Sequence, residues 1–404
     1  MTSSFSSYMT ERAPDRFGGR QSDYVNRTQA LIAWGGKQIQ QTAKDSLATL
    51  FFTLLENFQK ERQAIAREHG TPYAEQFGRR RDKEGIKDFY HTYLDDIYQA
   101  YNPKILKLFS LTMQGMPIET KNHAKQQKKI ENTYLGYTSS FEVEIFEIQE
   151  LDSLRWRIPI SQEELPKDFP VNLLTKREQT SLSELELQSL KNAIKLLKQN
   201  DLNLYKRLKM ANLLLDLQKE FPSPLVKQGL KGEVQLIGNE GNLKSFFALG
   251  TSRLLVNGKM YAMTQYLTWL YRDFQQPPID RMLKYSTVMV IHQDNFLIDE
   301  TLQEIALLFA NAVLCETNKL EDLQAASGLF RHYFANCMPT ERGSASIGEW
   351  LEGSIYHAHG YKIKYNKDRQ IDLEALTTPL LSDFIKDYPS MLTVEPIKPD
   401  PSNI

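Results

Sequence analysis

The chain has 404 residues, 41% of them hydrophobic and 25% charged, and a formal net charge of −1 at pH 7. These values fit an ordinary globular protein of two or three domains and exclude a chain drawn to nucleic acid or anionic membrane by its overall field. Its 2 cysteines, Cys315 and Cys337, have neither disulfide-framework nor zinc-site spacing and read as buried thiols.

In chain order, residues 1–24 are rich in Ser, Thr, Gly and charge and read as a mobile N-terminus without the apolar stretch of a classical secretory signal. No run approaches the roughly 20 apolar residues of a membrane span. Residues 25–120 read as a helical region, its first helix running from about 28 to 69. Leu47, Leu50, Phe51, Leu54, Leu55 and Phe58 recur at three- and four-residue steps, and Gly70-Thr71-Pro72 ends that helix. A second helix carries Phe89, Tyr93, Leu94, Ile97 and Tyr98. Between them Arg79-Arg80-Arg81 reads as a solvated basic loop, with contact to phosphate or an acidic partner as the sharper alternative.

Residues 121–182 hold a β-hairpin and a linker. The basic run at 121–129 lacks the aromatics of a base-stacking surface and reads as exposed helix or linker. Phe141, Val143 and Ile145 alternate with Glu142 and Glu144. Leu154, Trp156, Ile158 and Ile160 alternate around Arg155 and Arg157, so the two segments are expected to pair glutamate to arginine across a hairpin.

Residues 183–390 read as a mixed, helix-rich C-terminal domain. Leu187, Leu190, Ile194 and Leu197 mark one helix, and Tyr205, Leu208, Leu213 and Leu217 another. Short strands are expected at 234–237, 253–256 and 288–291, with a turn at Asn257-Gly258. Tyr266, Leu267, Leu270, Tyr271 and Phe274 suggest a helix. Thr301 to Glu304 reads as a capping box, Asn318 as the cap of the next helix, and a last helix as running from Ile347 to His359. Residues 391–404 read as a loose tail. The fold class is α+β, predominantly α-helical, with a β-hairpin and a few short strands.

The chemistry concentrates at residues 339–346, between two helices. Gly343 and Ser344 let backbone approach an anion at a helix N-terminus, where N–H groups are unpaired. Arg342 adds a planar, two-pronged donor, and Ser344 and Ser346 add hydroxyls. Arg342, Gly343, Ser344 and Ser346 are therefore the candidate phosphate ligands, with His332 and Glu349 as candidate acid or base. Against this, Ser346-Ile347-Gly348-Glu349 is itself a capping box, and Arg342 could pair with a carboxylate. His357 and His359, two positions apart on a helix, face different sides and make no metal pair, so no metal-ligating residues are assigned.

Met338-Pro339-Thr340-Glu341-Arg342-Gly343-Ser344-Ala345-Ser346 resembles the loop of the Fic family of nucleotide-transferring enzymes, HPF-x-[DE]-G-N-G-R, which holds phosphates at a helix N-terminus. Pro339 and Gly343 match. Met338 stands where the family has its histidine base and Ser346 where it has its closing arginine, so no catalytic role is carried over. The chain as a whole is similar to bacterial effectors delivered into host cells, with few cysteines, helix-rich domains and no signal peptide. Two readings follow. One is a secreted virulence effector that transfers a group from a nucleotide such as ATP or NAD, with Mg as a candidate companion ion, to a host or cellular protein. The other is a non-catalytic helical interaction module. The first requires Arg342 to be accessible and to share a cavity with Ser344 and His332; the second requires Arg342 to be paired to a carboxylate. Nucleic acid is not expected as a partner, and the environment is expected to be cytoplasmic in type.

Overall fold

The computed structural model of the chain describes residues 21–81, 91–93, 101–113, 126–147, 183–200, 243–273, 288–316, 319–366 and 369–397. The first described elements are helices α1 (Gln21–Gln41) and α2 (Leu47–Glu68), separated by a short 3-10 turn. The single helix expected over this region is thus two. In α2 the predicted stripe is buried, with Phe51, Leu54 and Phe58 all at 0% exposure. Strand β1 (His91–Tyr93) lies where a helix was expected. Helix α3 (Asn102–Met113) then opens on Asn102-Pro103, because a proline in the first turn loses no helical hydrogen bond.

Strands β2 (Gln126–Tyr134) and β3 (Tyr137–Glu147) make a hairpin, but one residue range earlier than expected. The basic run read as helix or linker supplies the start of β2. Its turn, Leu135-Gly136, has positive φ at both residues, and a leucine there gives no turn signal. The expected partner strand at 154–160 lies outside the described residues. Glu142 instead pairs with Arg253 of the next strand at 3.0 Å. Helix α4 (Glu184–Asn200) follows as expected, with Leu190 and Leu197 buried. The helix expected at 205–217, the strand at 234–237 and the Asn318 cap also lie outside the described residues.

Strands β4 (Leu243–Val256) and β5 (Lys259–Asp273) are the long hairpin that Asn257-Gly258 announces. β5 replaces the helix expected at 266–274. The turn sends the chain straight back along β4, and the aromatic and β-branched residues of Tyr266 to Tyr271 suit a strand. With β6 (Val288–Ile291) these strands form a six-stranded antiparallel sheet in the order β1-β6-β5-β4-β3-β2. One sheet face buries Phe141, Val143, Ala248 and Tyr266 against Phe109 and Ile105 of α3.

The larger core lies among the helices. Helix α5 (Ile298–Val313) starts one turn before the expected capping box, so Thr301 and Glu304 sit inside it. Their side chains instead accept hydrogen bonds from Gln293 (2.7 Å) and from the backbone N–H of Asn257 (3.1 Å). Helices α6 (Leu320–Cys337) and α7 (Ser344–Ala358) follow. Strand β7 (Tyr361–Tyr365), helices α8 (Ile371–Thr377) and α9 (Leu381–Asp387), and strand β8 (Leu392–Pro396) complete the described chain. β8 pairs antiparallel with β7, so residues 392–396 are a strand and not part of a loose tail. Phe51 of α2 packs on Phe309 and Phe330, and Phe58 packs on Trp350, so α2, α5, α6 and α7 share one core. The α+β, mostly helical class is the one observed.

Candidate anion site at the start of helix α7

Helix α6 ends at Cys337, and Met338 takes a left-handed conformation (φ 44°) that turns the chain away. The segment that follows is held as a strand would be. Arg81 N–H donates to Pro339 O at 3.0 Å, Glu341 N–H to Arg79 O at 2.9 Å, and Gly78 N–H to Arg342 O at 2.9 Å. The side chains repeat the tie. Arg79 pairs with Glu341, Arg80 with Asp299, and Arg81 donates to the Cys337 carbonyl at 2.9 Å. The three-arginine cluster read as a solvated loop is therefore the fastening of the candidate loop, and its acidic partners are within the chain.

Gly343 has φ 86° and acts as the N-cap of α7, which begins at Ser344 with no side-chain cap among the described residues. The expected capping box is absent, since Ser346 and Glu349 both lie within the helix. Ser344 is 1% exposed and its Oγ is engaged by Thr340, through the backbone N–H at 3.1 Å and the hydroxyl at 2.7 Å. Ser346 Oγ accepts from Tyr24 Oη at 3.2 Å, which brings α1 over this helix start. Arg342 is exposed. Its Nε donates to Gln76 Oε1 at 3.1 Å, its guanidinium lies 5.5 Å from the Tyr73 ring, and no described carboxylate pairs with it.

The structure does not bring all six candidates together. His332 is 0% exposed, with Nε2 3.0 Å from Thr378 O and its ring against Phe384. Burial pushes it down to about 4, so its ring is neutral at physiological pH. None of these ring contacts is with the loop. Glu349 is brought near. It is 7% exposed, its Oε2 has no hydrogen-bond partner among the described residues, and burial pushes it up to about 8 against the opposing pull of Arg331 and Arg62. Near neutral pH it mostly keeps its proton.

Beneath Glu349 lies a fully buried charge network. Arg331 (0% exposed) donates to Asp372 at 2.7 Å and lies 3.2 Å from Glu352, which also accepts from Tyr365 at 2.6 Å and from Tyr388. Burial works against the Arg331 charge, but Asp372 and Glu352 outweigh it and hold it on. Gly348 makes room for this guanidinium. A β-carbon there would sit 1.7 Å from Arg331 Nη1.

Two residues of the site lie outside the sequence reading of it. Tyr24 is one: it falls in the stretch 1–24 read as mobile, whereas residues 21–24 are the first turn of α1. Arg62 of α2 is the other. Its guanidinium stacks 4.3 Å from the Phe77 ring, and its Cγ would lie 2.8 Å from a β-carbon on Gly343. A signal was available for Arg62. It falls four residues after Phe58 and three before Ile65, on the apolar stripe, and a charge at a stripe position is seldom accidental. The other side chains singled out are structural. Burial pushes Cys337 up to about 12, so it is no nucleophile, and His359 Nε2 lies 3.2 Å from Ala312 O.

A search among curated proteins returned no match for the chain. The AvrB/AvrC family, described as avirulence protein, matches residues 252–395, less than half of the chain but running from the end of β4 to β8 and including the whole of α6, the loop and α7. The match supports the likeness to bacterial effectors and lends none to the Fic loop, so over this segment the chain is similar to avirulence proteins.

Proposed function

We propose that the chain is an effector that enters a host cell and there transfers a group from a nucleotide donor to a host protein, with the donor phosphates held at residues 339–346. The observation that carries this reading is the start of α7. An uncapped helix N-terminus, opened by a left-handed glycine, stands beside an exposed arginine that no described carboxylate neutralises. The avirulence match supplies the cellular setting. No helix among the described residues is long and apolar enough to cross a membrane.

The roles then divide as follows. Arg342 and the N–H groups of 343–346 bind phosphate oxygens. Ser344 holds the loop through Thr340 and does not touch the ligand. Glu349, which carries a proton near neutral pH, gives it to the leaving phosphate oxygen as that oxygen gains charge. His332 has no part in the reaction. A host hydroxyl takes the transferred group and releases its own proton to solvent.

The test is thermal denaturation of wild type and Arg342→Ala with ATP, GTP, NAD or pyrophosphate, with and without magnesium. A ligand that binds only the native state raises its stability by about 2.7 kcal/mol at a hundredfold excess over Kd. A rise in wild type that is lost in Arg342→Ala is the expected outcome and names the donor class. No rise with any ligand would overturn the reading and leave a non-catalytic interaction module.

A further inference from the structure

The six-stranded sheet has one long open edge. Strand order places β2 outermost, paired along its 9 residues with β3 on one side. On its other side no strand lies among the described residues, so every second residue turns its backbone N–H and C=O outward with no described backbone partner. The opposite edge, β1, has 3 described residues. Helix α9 meets β2 on one face, where Asn132 donates to Ser382. Lys129, Glu131 and Thr133 alternate along the other face and are exposed. An open edge of this length is a template for another strand, and proteins commonly block such edges with lysine. The basic run supplies Lys128 and Lys129 to β2, but Glu131 follows them, and that changes what the edge can meet.

The order of charges selects the strand that fits. Residues opposite each other in an antiparallel pair share a face and a hydrogen-bonding phase, so a strand that meets its own copy about a two-fold axis must centre on a residue. Centred on Ile130, the midpoint of β2, the whole strand pairs from Gln126 to Tyr134. That register sets Lys129 opposite Glu131 of a second copy, Glu131 opposite its Lys129, and Lys128 opposite its Asn132. Centring on Lys128 or Lys129 would set lysine against lysine, and centring on Glu131 would set glutamate against glutamate. Lys129 and Glu131 already form an ion pair along the strand, each side chain 47% exposed, so the four charges alternate around the axis. Lys129 also stands opposite Glu142 of β3, which carries the alternation inward. On the other face Ile130, opposite Phe141 and packed on the smaller core, meets Ile130 of the second copy.

We propose that β2 is a dimerisation edge: a second copy of the chain adds its own β2 antiparallel about Ile130, and the two sheets become one. About eight to ten backbone hydrogen bonds close the joint. The Lys129–Glu131 pairs fix its register. The contact uses the same patch on both copies, so it closes at two and leaves neither β2 edge open.

The experiment is sedimentation equilibrium of the full chain at low ionic strength, comparing wild type, Glu131→Lys, Lys129→Glu and the double swap. Both side chains lie at the surface, so the variants are expected to melt near the wild-type temperature. Wild type is expected to dimerise. Each single swap is expected to raise the dimer Kd about tenfold, because it turns two attractive pairs into repulsive ones. The double swap is expected to restore the wild-type Kd. An equimolar mixture of the two single variants is expected to form a mixed dimer tighter than either makes alone, because each lysine there meets a glutamate again. A wild type that stays monomeric at about 200 μM would overturn the proposal. Single variants that dimerise as wild type does would place the contact on another surface and overturn it equally. A double swap and a mixture that both stay weak would exclude this register, and with it the proposal.

Discussion

Glu349 is pushed to about 8 from an ordinary value of 4.5, first by burial, with Asp372 and Glu352 adding to it and Arg331 and Arg62 resisting. The native state therefore binds a proton that the unfolded chain has released, between those two values. Stability from this group is complete below pH of about 4.5, falls as pH rises through about 8, and is level above that. Glutamine has no proton to lose. Glu349→Gln should thus gain on the order of 4 kcal/mol over wild type as pH goes from about 5 to about 9, since about three tenfold steps are crossed and each is worth about 1.4 kcal/mol. Melting temperatures of both proteins across that range provide the check, and a constant difference would show that Glu349 is ionised in the folded protein. His332 shows how a sound residue-level inference goes astray. A histidine near an anion loop suggests a base, but its position in the helix turns the ring toward Thr378 and Phe384. Nothing in the order of residues specifies that direction.

Helices α1 and α7 approach so closely that side chains have been removed to allow it. A β-carbon on Gly35 would come within 2.2 Å of Ser354 Oγ, one on Gly36 within 2.4 Å of the His357 ring, and one on Gly353 within 2.8 Å of Ile32. Gly35→Ala should therefore destabilise the protein by about 2 kcal/mol, the usual cost of overpacking. Adding Ser354→Gly should recover most of the loss, because the clash is with that hydroxyl. Urea denaturation of the two single variants and the double variant decides the matter; additive losses would place the strain elsewhere. Helices are the more legible elements for a simple reason. The stripe of α2 repeats within one helix, so local spacing reveals it. The strand β5 reads as a helix because Tyr266, Leu267, Leu270 and Tyr271 suit either period, and only its partner β4 decides between them. Ser346 and Glu349 match a capping box, but the left-handed Gly343 has already started the helix. The loop itself is visible because glycine, serine and arginine gather in a few consecutive positions. Arg62 and Tyr24 belong to the same site from more than 280 residues away, as the 322-residue separation of Tyr24 and Ser346 illustrates, and no local pattern joins them.

At the level of the whole molecule, the core of the segment similar to avirulence proteins is completed from outside it. Its aromatic residues Phe309, Phe330 and Trp350 pack against Phe51 and Phe58 of α2, which lie outside residues 252–395. Residues 252–395 expressed alone should keep much of their helix content but show no cooperative melting and should bind hydrophobic dye, as loosely packed states do. Co-expression with residues 21–81 should restore a sharp transition. A sharp transition in the isolated segment would show that α2 is dispensable.

The closure of α1 over α7 also sets an order of events during synthesis. Tyr24 and Ser346 are 322 positions apart. At about 5–20 residues per second, the ribosome needs roughly 15–60 s to make the surface on which the first helices will rest. For that time the apolar stripe of α2 and the small-residue face of α1 are without α5, α6 and α7, the described helices that cover them. Exposed apolar surface of this kind favours aggregation, so a chaperone that holds residues 21–68 during synthesis is expected to raise the yield more than one that acts on the finished protein.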